Sequence, residues 1–377
     1  MRIGINALYL LPGRVGGTEV YIRNLVKWLL KIDAENEYFI FINKESAGIF
    51  EEFSPRLNIV MCPIHAQRRP VRVLWEQIAL PMQIKKRNID LLLSAGMTAP
   101  FLCPARSVLV LYDLQHVNQP WNFPKVFLFF LKALIYLSAK TSDSIITISE
   151  KVKGDIVKHY GIPPERVHAI HIGIDTGSFF IRKPAELKPV MDKYRLPSRF
   201  ILYPAASLPH KNHERLLEAF KTVKKEEKTL KLLLTGARDY GYEEIEKKIK
   251  ELDLKDDVIF MGWLPHEDMP AIYCASTLLI FPSLHEGFGM PVIEAFASGV
   301  PVVCSDIEPL KEIAEGAALF IDPYNPESIA EGILKVLNDG KLRQELIKNG
   351  LERAKNFRWE VLAEKTLSVL NSSSGRL

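Results

Sequence analysis

An α/β fold with two mostly parallel sheets is predicted by three features of the sequence. Short apolar runs alternate with amphipathic stretches along nearly the whole chain, the signature of strands joined by crossover helices. The alternation lapses at a charged, proline-punctuated segment, 182–189, and then restarts, which predicts a domain boundary there. Glycine-rich loops follow a strand and precede a helix in both halves, and in open parallel sheets that is where ligands bind. With 377 residues, the chain is long enough for two separate cores.

In the first half, strands are expected at 3–8, 38–42, 58–62, 89–93, 107–111, 144–148 and 166–170. The loop around Gly16 and Gly17 leads into a helix with apolar residues at helical spacing, 18–30. Its spacing is not Gly-x-Gly-x-x-Gly, so a dinucleotide fingerprint is not supported, and a tight turn is the plain alternative. In the second half, strands are expected at 200–204, 230–234, 258–261, 278–281, 302–304 and 318–321. Helices are expected at 214–226, 266–273, 326–337, 341–356 and 359–370.

Composition excludes several classes of function. Four cysteines, Cys62, Cys103, Cys274 and Cys304, show no Cys-x-x-Cys spacing, which argues against a zinc site or a disulfide framework. No metal is expected, and a reducing cytoplasm is the expected setting. The chain starts directly as a strand, so no signal peptide is expected. A net charge of +4 suits anionic substrates or a membrane surface and does not indicate nucleic acid. The longest apolar segment, 126–137, is interrupted by Lys132 and is too short to span a bilayer. A buried helix is its default reading; membrane-surface contact is the alternative, since lysines beside aromatics favour anionic headgroups.

The most informative stretch is Ser283 to Pro301. It follows the apolar run 278–281 and contains Gly287 and Gly289 ahead of Pro291, a residue suited to a first helical turn. Free amides and the positive end of a helix dipole are thereby directed beyond the strand. Glu286 stands at the entrance of this loop and Glu294 one turn into the helix. Anion-binding amides beside two carboxylates suit a ligand that is anionic at one end and hydroxyl-rich at the other, such as a sugar nucleotide. Lys211, between a strand and a helix, is placed to neutralise phosphate.

The run Glu286-Gly-Phe-Gly-Met-Pro-Val-Ile-Glu294 resembles the Glu-x7-Glu motif of the retaining family 4 glycosyltransferases, and Ala295, Ser298-Gly299 and Val300 to Val303 extend the likeness. The resemblance spans nearly the whole chain and implies the GT-B architecture, two Rossmann-like domains with parallel sheets facing across a cleft. It divides the chain into an acceptor-side domain, 1–180, and a nucleotide-sugar-binding domain, 190–357, with a final helix, 358–371, crossing back to the first.

The same resemblance assigns roles. Lys211 and Asn212, in the segment that also holds Ser207, match the donor diphosphate site. The arginine usual there would align with Ala205 or Ala206, so a cationic contact is missing. Gly16 and Gly17 match a loop that faces the diphosphate, and Gly287, Phe288, Gly289 and Met290 form the second phosphate-facing loop. Backbone groups at Gly262, Trp263 and Leu264 would meet the nucleobase, although a turn that packs Trp263 in the core fits equally well. Asp113 and His116 would lie beside the transferred sugar; a locally satisfied structural histidine is the alternative. Glu286 would bind hexose hydroxyls and Glu294 ribose hydroxyls.

The implied activity is retaining transfer of a hexose from UDP-glucose or GDP-mannose to a glycan or lipid-linked acceptor in cell-surface polysaccharide synthesis. No metal or cofactor beyond the nucleotide-sugar co-substrate is implied. A sugar-nucleotide epimerase, a phosphorylase or a non-catalytic nucleotide-sugar-binding protein shares the architecture. The expected location is the cytoplasm, including the inner membrane face.

Overall fold

The computed structural model describes residues 1–13, 17–53 and 55–373. The chain divides into two compact units, Met1–Gly173 with Trp359–Leu377, and Ile174–Arg358.

In the first unit the elements run β1 (Arg2–Asn6), α1 (Gly17–Ile32), β2 (Glu37–Ile42), β3 (Leu57–Met61), α2 (Arg69–Lys86), β4 (Leu91–Ser94) and β5 (Arg106–Leu111). They continue α3 (Gln115–Asn118), α4 (Lys125–Thr141), β6 (Ser144–Thr147), α5 (Glu150–Tyr160) and β7 (Val167–Ala169). All seven strands are parallel, in the order β3-β2-β1-β4-β5-β6-β7, so the winding reverses between β1 and β4. The central strands β4 and β6 are buried along their whole length, which is why they read as unbroken apolar runs. Helix α1 buries Tyr21, Ile22, Leu25, Val26, Leu29 and Leu30, one apolar stripe at helical spacing. Ser149 Oγ accepts from Val152 N at 3.2 Å and so caps α5, and Gly161 ends that helix at φ +58°.

The second unit comprises α6 (Pro184–Tyr194), β8 (Phe200–Pro204), α7 (His213–Glu226), β9 (Lys231–Thr235), α8 (Tyr242–Glu251), β10 (Val258–Gly262), α9 (Met269–Ala275) and β11 (Leu278–Phe281). After these come α10 (Met290–Ala297), β12 (Val302–Ser305), α11 (Glu308–Ala314), β13 (Leu319–Ile321), α12 (Pro326–Asn338) and α13 (Gly340–Ala354). Six parallel strands lie in the order β10-β9-β8-β11-β12-β13, reversing between β8 and β11. Helix α14 (Trp359–Ser373) belongs to the first unit, where Trp359 meets Tyr21 edge-on with ring centroids 6.4 Å apart.

Three expectations from sequence need correction. The 182–189 stretch is not an irregular boundary: the chain passes between units at Gly173/Ile174, and most of the stretch lies in α6. Pro184 sits in the first turn, where a missing N–H does no harm, and Glu186 Oε2 accepts from Lys183 N at 2.8 Å. The helix expected at 266–273 begins at Met269, with Pro270 in its first turn; the carboxylate of the preceding Asp268 is held by Lys193 Nζ at 2.7 Å and Tyr194 Oη at 2.6 Å. Finally, α4 is not a buried helix. Only Ile135, Ser138 and Ala139 are buried on it, and its aromatic side chains face solvent.

Candidate active site

In doubly wound sheets, ligands gather beyond the carboxyl ends of the strands where the winding reverses. In the second unit that place lies between β8 and β11, and it receives the loop after each strand. Lys211 comes from the first loop and Glu286 from the second. Their charged ends meet, with Nζ 2.6 Å from Oε1. The pair is partly screened from water, the side chains being 17% and 11% exposed. Lys211 Nζ also lies 5.7 Å from the centre of the Phe281 ring, at the end of β11.

The sequence folds this way because the β8 loop is tied down by its own polar groups. Asn212 takes a left-handed conformation at φ +64°, a region asparagine tolerates better than most residues. Its side-chain amide donates to the carbonyls of Pro282 at 3.0 Å and Pro323 at 2.6 Å, and its Oδ1 accepts from Arg215 Nη1 at 3.0 Å. Tyr203 Oη donates to the Lys211 carbonyl. Ser207 Oγ donates to the Ala237 carbonyl at 3.1 Å and accepts from Asp239 N at 2.8 Å, joining the loops after β8 and β9. Asn212 and Ser207 were expected to touch the nucleotide sugar. Both side chains are buried and hydrogen-bonded within the protein, which fixes the loop that carries Lys211.

The loop after β11 leads into α10, with Gly289 at its N-cap and Pro291 in its first turn. Gly289 has φ +108°, and a Cβ there would stand 2.5 Å from Leu310 Cδ2. Gly289→Ala is therefore expected to destabilise the second unit by about 2 kcal/mol, lowering its melting temperature by about 4–8 °C in a calorimetric scan. Gly287 and Met290 flank this turn half-buried. Phe288 was expected in the phosphate loop, but its ring is buried in the unit's interior, edge-on to Phe357 at 5.9 Å. Only its backbone can face a ligand.

Glu294 lies in α10, where its Oε2 accepts from Tyr273 Oη at 2.5 Å. Burial raises its pKa, while the Tyr273 hydrogen bond and the charge of His266 pull it down. No local pattern in the sequence marks Tyr273 as the partner. At the end of β10, Gly262 has φ +70°, Leu264 is buried, and Trp263 is 66% exposed. A core role for Trp263 is thereby excluded. Arg238, in the loop after β9, lies 4.6 Å from the centre of the Tyr242 ring and 5.7 Å from that of Phe260.

His210 and His213 flank Lys211. Burial first, then the Lys211 charge, pushes His210 down to about 4, with Glu286 opposing, and His213 down to about 3. Both imidazoles are thus neutral in the fold, whereas the unfolded chain binds their protons near 6.5. This contribution to stability is full above about pH 6.5 and is lost as the pH falls towards 4. The melting temperature of the protein is expected to fall between pH 7.5 and 5. A His210→Gln/His213→Gln variant removes part of that slope, which amounts to up to about 1.4 kcal/mol per pH unit per histidine.

In the first unit, Gly17 opens α1 with open space around it, whereas Gly16 lies outside the described residues. Asp113 and His116 follow β5. Asp113 Oδ1 accepts from Gln115 N at 3.0 Å at the start of α3. His116 is buried, with Nε2 2.7 Å from Tyr160 Oη. Burial, and then the Lys132 charge, lowers its pKa to about 4, so it acts as a neutral hydrogen-bonding group near pH 7. Glu76 of α2 is also buried, which raises its pKa; Arg72 Nη1 stands 3.9 Å away. Sequence reasoning did not single out Glu76. Among the described residues, no group of three or more His, Cys, Asp or Glu is placed to hold a metal ion.

Two units, each a parallel doubly wound sheet, are the architecture of the GT-B fold, and the second carries a cation and a carboxylate joined at its switch point. Comparison with known proteins agrees. The family model described as "Glycosyltransferase Family 4" matches residues 15–178, and that described as "Glycosyl transferases group 1" matches residues 192–353. The chain belongs to glycosyltransferase family 4, a retaining, metal-independent family.

Among its relatives, the O-antigen chain mannosyltransferase B of Escherichia coli is 29% identical over 70% of this chain and 70% of its own. An O-antigen chain mannosyltransferase of Salmonella typhimurium is 28% identical over 69% of this chain and 68% of its own. Among solved structures, a sucrose-phosphate synthase from Thermosynechococcus elongatus superposes with a TM-score of 0.79 at 20% identity, covering 99% of this chain and 98% of that one. Anabaena HepE, in complex with UDP and glucose, gives 0.78 at 19% identity, covering 99% and 100%. The structural likenesses bear on the fold; the family makes the chain a sugar-transferring enzyme.

Proposed function

We propose that the chain transfers mannose from GDP-mannose, with retention at the anomeric carbon, to a growing cell-surface glycan or its lipid-linked precursor. The observation that carries a nucleotide-sugar site is the Lys211–Glu286 pair at the β8/β11 switch point, beside the N-terminus of α10. The choice of mannose rests on the two O-antigen mannosyltransferase relatives. UDP-glucose is the second reading, because HepE was solved with UDP-glucose.

The donor diphosphate would lie against the amides around Gly287–Met290 and take Lys211 as counter-ion. An ammonium has three N–H donors, so Lys211 can keep Glu286 while binding phosphate. As the bond between C1 and the phosphate oxygen breaks, charge grows on the leaving diphosphate, and Lys211 with the helix amides stabilises that charge most in the transition state. The new bond from the acceptor oxygen to C1 forms on the same face, and the acceptor proton passes to the leaving phosphate. Glu286 would grip hexose hydroxyls and face the positive charge at C1. Glu294, steadied by Tyr273, would accept from ribose hydroxyls, and backbone groups at Gly262, Trp263 and Leu264 would meet the nucleobase. Acceptor binding would fall to the first unit, where Asp113 and neutral His116 are the candidate residues.

A thermal-shift panel of UDP, GDP and their sugars, followed by labelled-sugar transfer to a lipid-linked glycan extract, tests this reading. GDP and GDP-mannose should raise the melting temperature, and transfer should require the acceptor. If neither nucleotide associated at millimolar levels, the donor site would be refuted; conversion of donor without acceptor would point to an epimerase instead.

A further inference from the structure

Helices α2 and α4 each follow a strand by a rightward step in the sheet order, which for right-handed crossovers puts both on one face of the sheet. Register confirms this. Leu92 pairs with Ser107, and Leu109 pairs with Ile145, so Leu92, Leu109 and Ile145 share a face. On that face, Leu80 and Ile84 of α2 pack with Phe39, Phe41 and Leu92, and Ile135 and Ala139 of α4 pack with Leu109 and Ile145. The inward sides of both helices are therefore filled. Gln77 donates to the Ala99 carbonyl at 3.0 Å, as Ser138 Oγ does at 3.3 Å, so one loop joins the two helices.

The outward sides are apolar as well. Helix α2 exposes Val71, Leu74, Ile78 and Met82, a stripe at helical spacing. Helix α4 exposes Val126, Phe129, Phe130, Tyr136 and Leu137, with Phe129 at 70% and Phe130 at 66%. Arg69 lies 5.8 Å from the Phe127 ring centre, joining the N-terminal ends of the two faces. A solvent-facing helix side ordinarily carries charge or hydroxyls, so two adjacent helices presenting aromatic and aliphatic stripes call for a cover.

Charge says what covers them. Around α2 stand Arg68, Arg69, Lys85, Lys86 and Arg87, and along α4 stand Lys125, Lys132 and Lys140, while Arg72 is turned inward beside Glu76, its side chain 13% exposed. The only acid within these two segments is Glu76, which is buried. Since the whole chain carries only +4, its remainder is net negative, and the cations are concentrated where the apolar stripes are. Apolar rings rimmed by long cationic side chains that can snorkel match the boundary of an anionic bilayer. No described helix is long and apolar enough to cross a membrane, so contact is interfacial.

We infer that the outward face of α2 and α4 is a docking surface for an anionic lipid bilayer, lying in its plane with Phe129 and Phe130 inserted below the headgroups. The inference does not depend on which sugar the second unit carries.

Co-sedimentation of the full chain with vesicles tests it. Binding is expected to vesicles of phosphatidylcholine containing phosphatidylglycerol, to be negligible with phosphatidylcholine alone, and to weaken as salt is raised. Phe129→Ser/Phe130→Ser should lower partitioning at least about tenfold, and Lys85→Gln/Lys86→Gln/Lys125→Gln on the order of a hundredfold. Both variants should keep the wild-type melting temperature and nucleotide binding; if the aromatic variant failed to fold, the charge variant would carry the test. No binding to anionic vesicles, equal binding to neutral ones, or binding unchanged in the variants would overturn the inference. So would a lipid-free dimer in sedimentation velocity that the aromatic substitutions dissociate, since a second copy would then be the cover.

Discussion

Glu286→Gln is expected to lower the turnover of sugar transfer by about two to three orders of magnitude while leaving donor affinity within about threefold. The substitution keeps the size of the side chain and a hydrogen-bond acceptor beside Lys211 Nζ, which stands 2.6 Å from Oε1 in the native pair. It removes the charge that would face the developing positive charge at the anomeric carbon. Because the side chains are only 17% and 11% exposed, leaving Lys211 without its carboxylate should also cost stability, on the order of 1–3 kcal/mol. Steady-state kinetics with saturating donor separates the two parameters. A variant with intact turnover and weakened donor binding would show that Glu286 only holds the ground state.

Lys211→Ala is expected to raise the donor Kd by about tenfold and to lower turnover by a further hundredfold, since the diphosphate gains charge as it leaves. It also strands the Glu286 carboxylate, which makes a double-substitution cycle informative. The two side chains touch, so Lys211→Ala combined with Glu286→Gln should lose clearly less than the product of the single effects. Multiplicative losses would mean that the pair does not act as a unit. Arginine at 211 is a poor rescue, since a flat guanidinium does not replace a compact ammonium in a short single contact.

The reading from sequence was strongest where periodicity carries the signal. Strands such as Leu278–Phe281 and Phe200–Pro204 are apolar on both faces, and glycine or proline bounds several of the loops that follow. Lys211 and Glu286 could be named individually because each lies just beyond such a strand. Their contact across 75 positions is a product of strand order, which periodicity does not encode. The same holds for the hydrogen bonds of Asn212 and Ser207 to backbone carbonyls of distant loops, which only strand order brings within reach. Helix α4 was misjudged for a different reason. Apolar character all round is a rule for helices whose every side finds protein, and it does not distinguish protein from lipid. Helix α6 was hidden because proline reads as an interruption, whereas Pro184 occupies the first turn, which accepts it, and Pro189 is carried inside the helix.

The division of the chain into units has a consequence for biosynthesis. The second unit is one continuous segment whose two ends adjoin, Ile174 N donating to the Phe357 carbonyl at 2.9 Å. The first unit is interrupted by it and receives α14 only afterwards. On a ribosome the later-encoded unit can therefore close before the earlier one, whose sheet and α1 wait, with Tyr21 and its neighbours uncovered, until Trp359 and the helix behind it emerge. Nascent chains halted before that helix should expose the unfinished surface to chaperones, while the inserted unit is already protease-resistant.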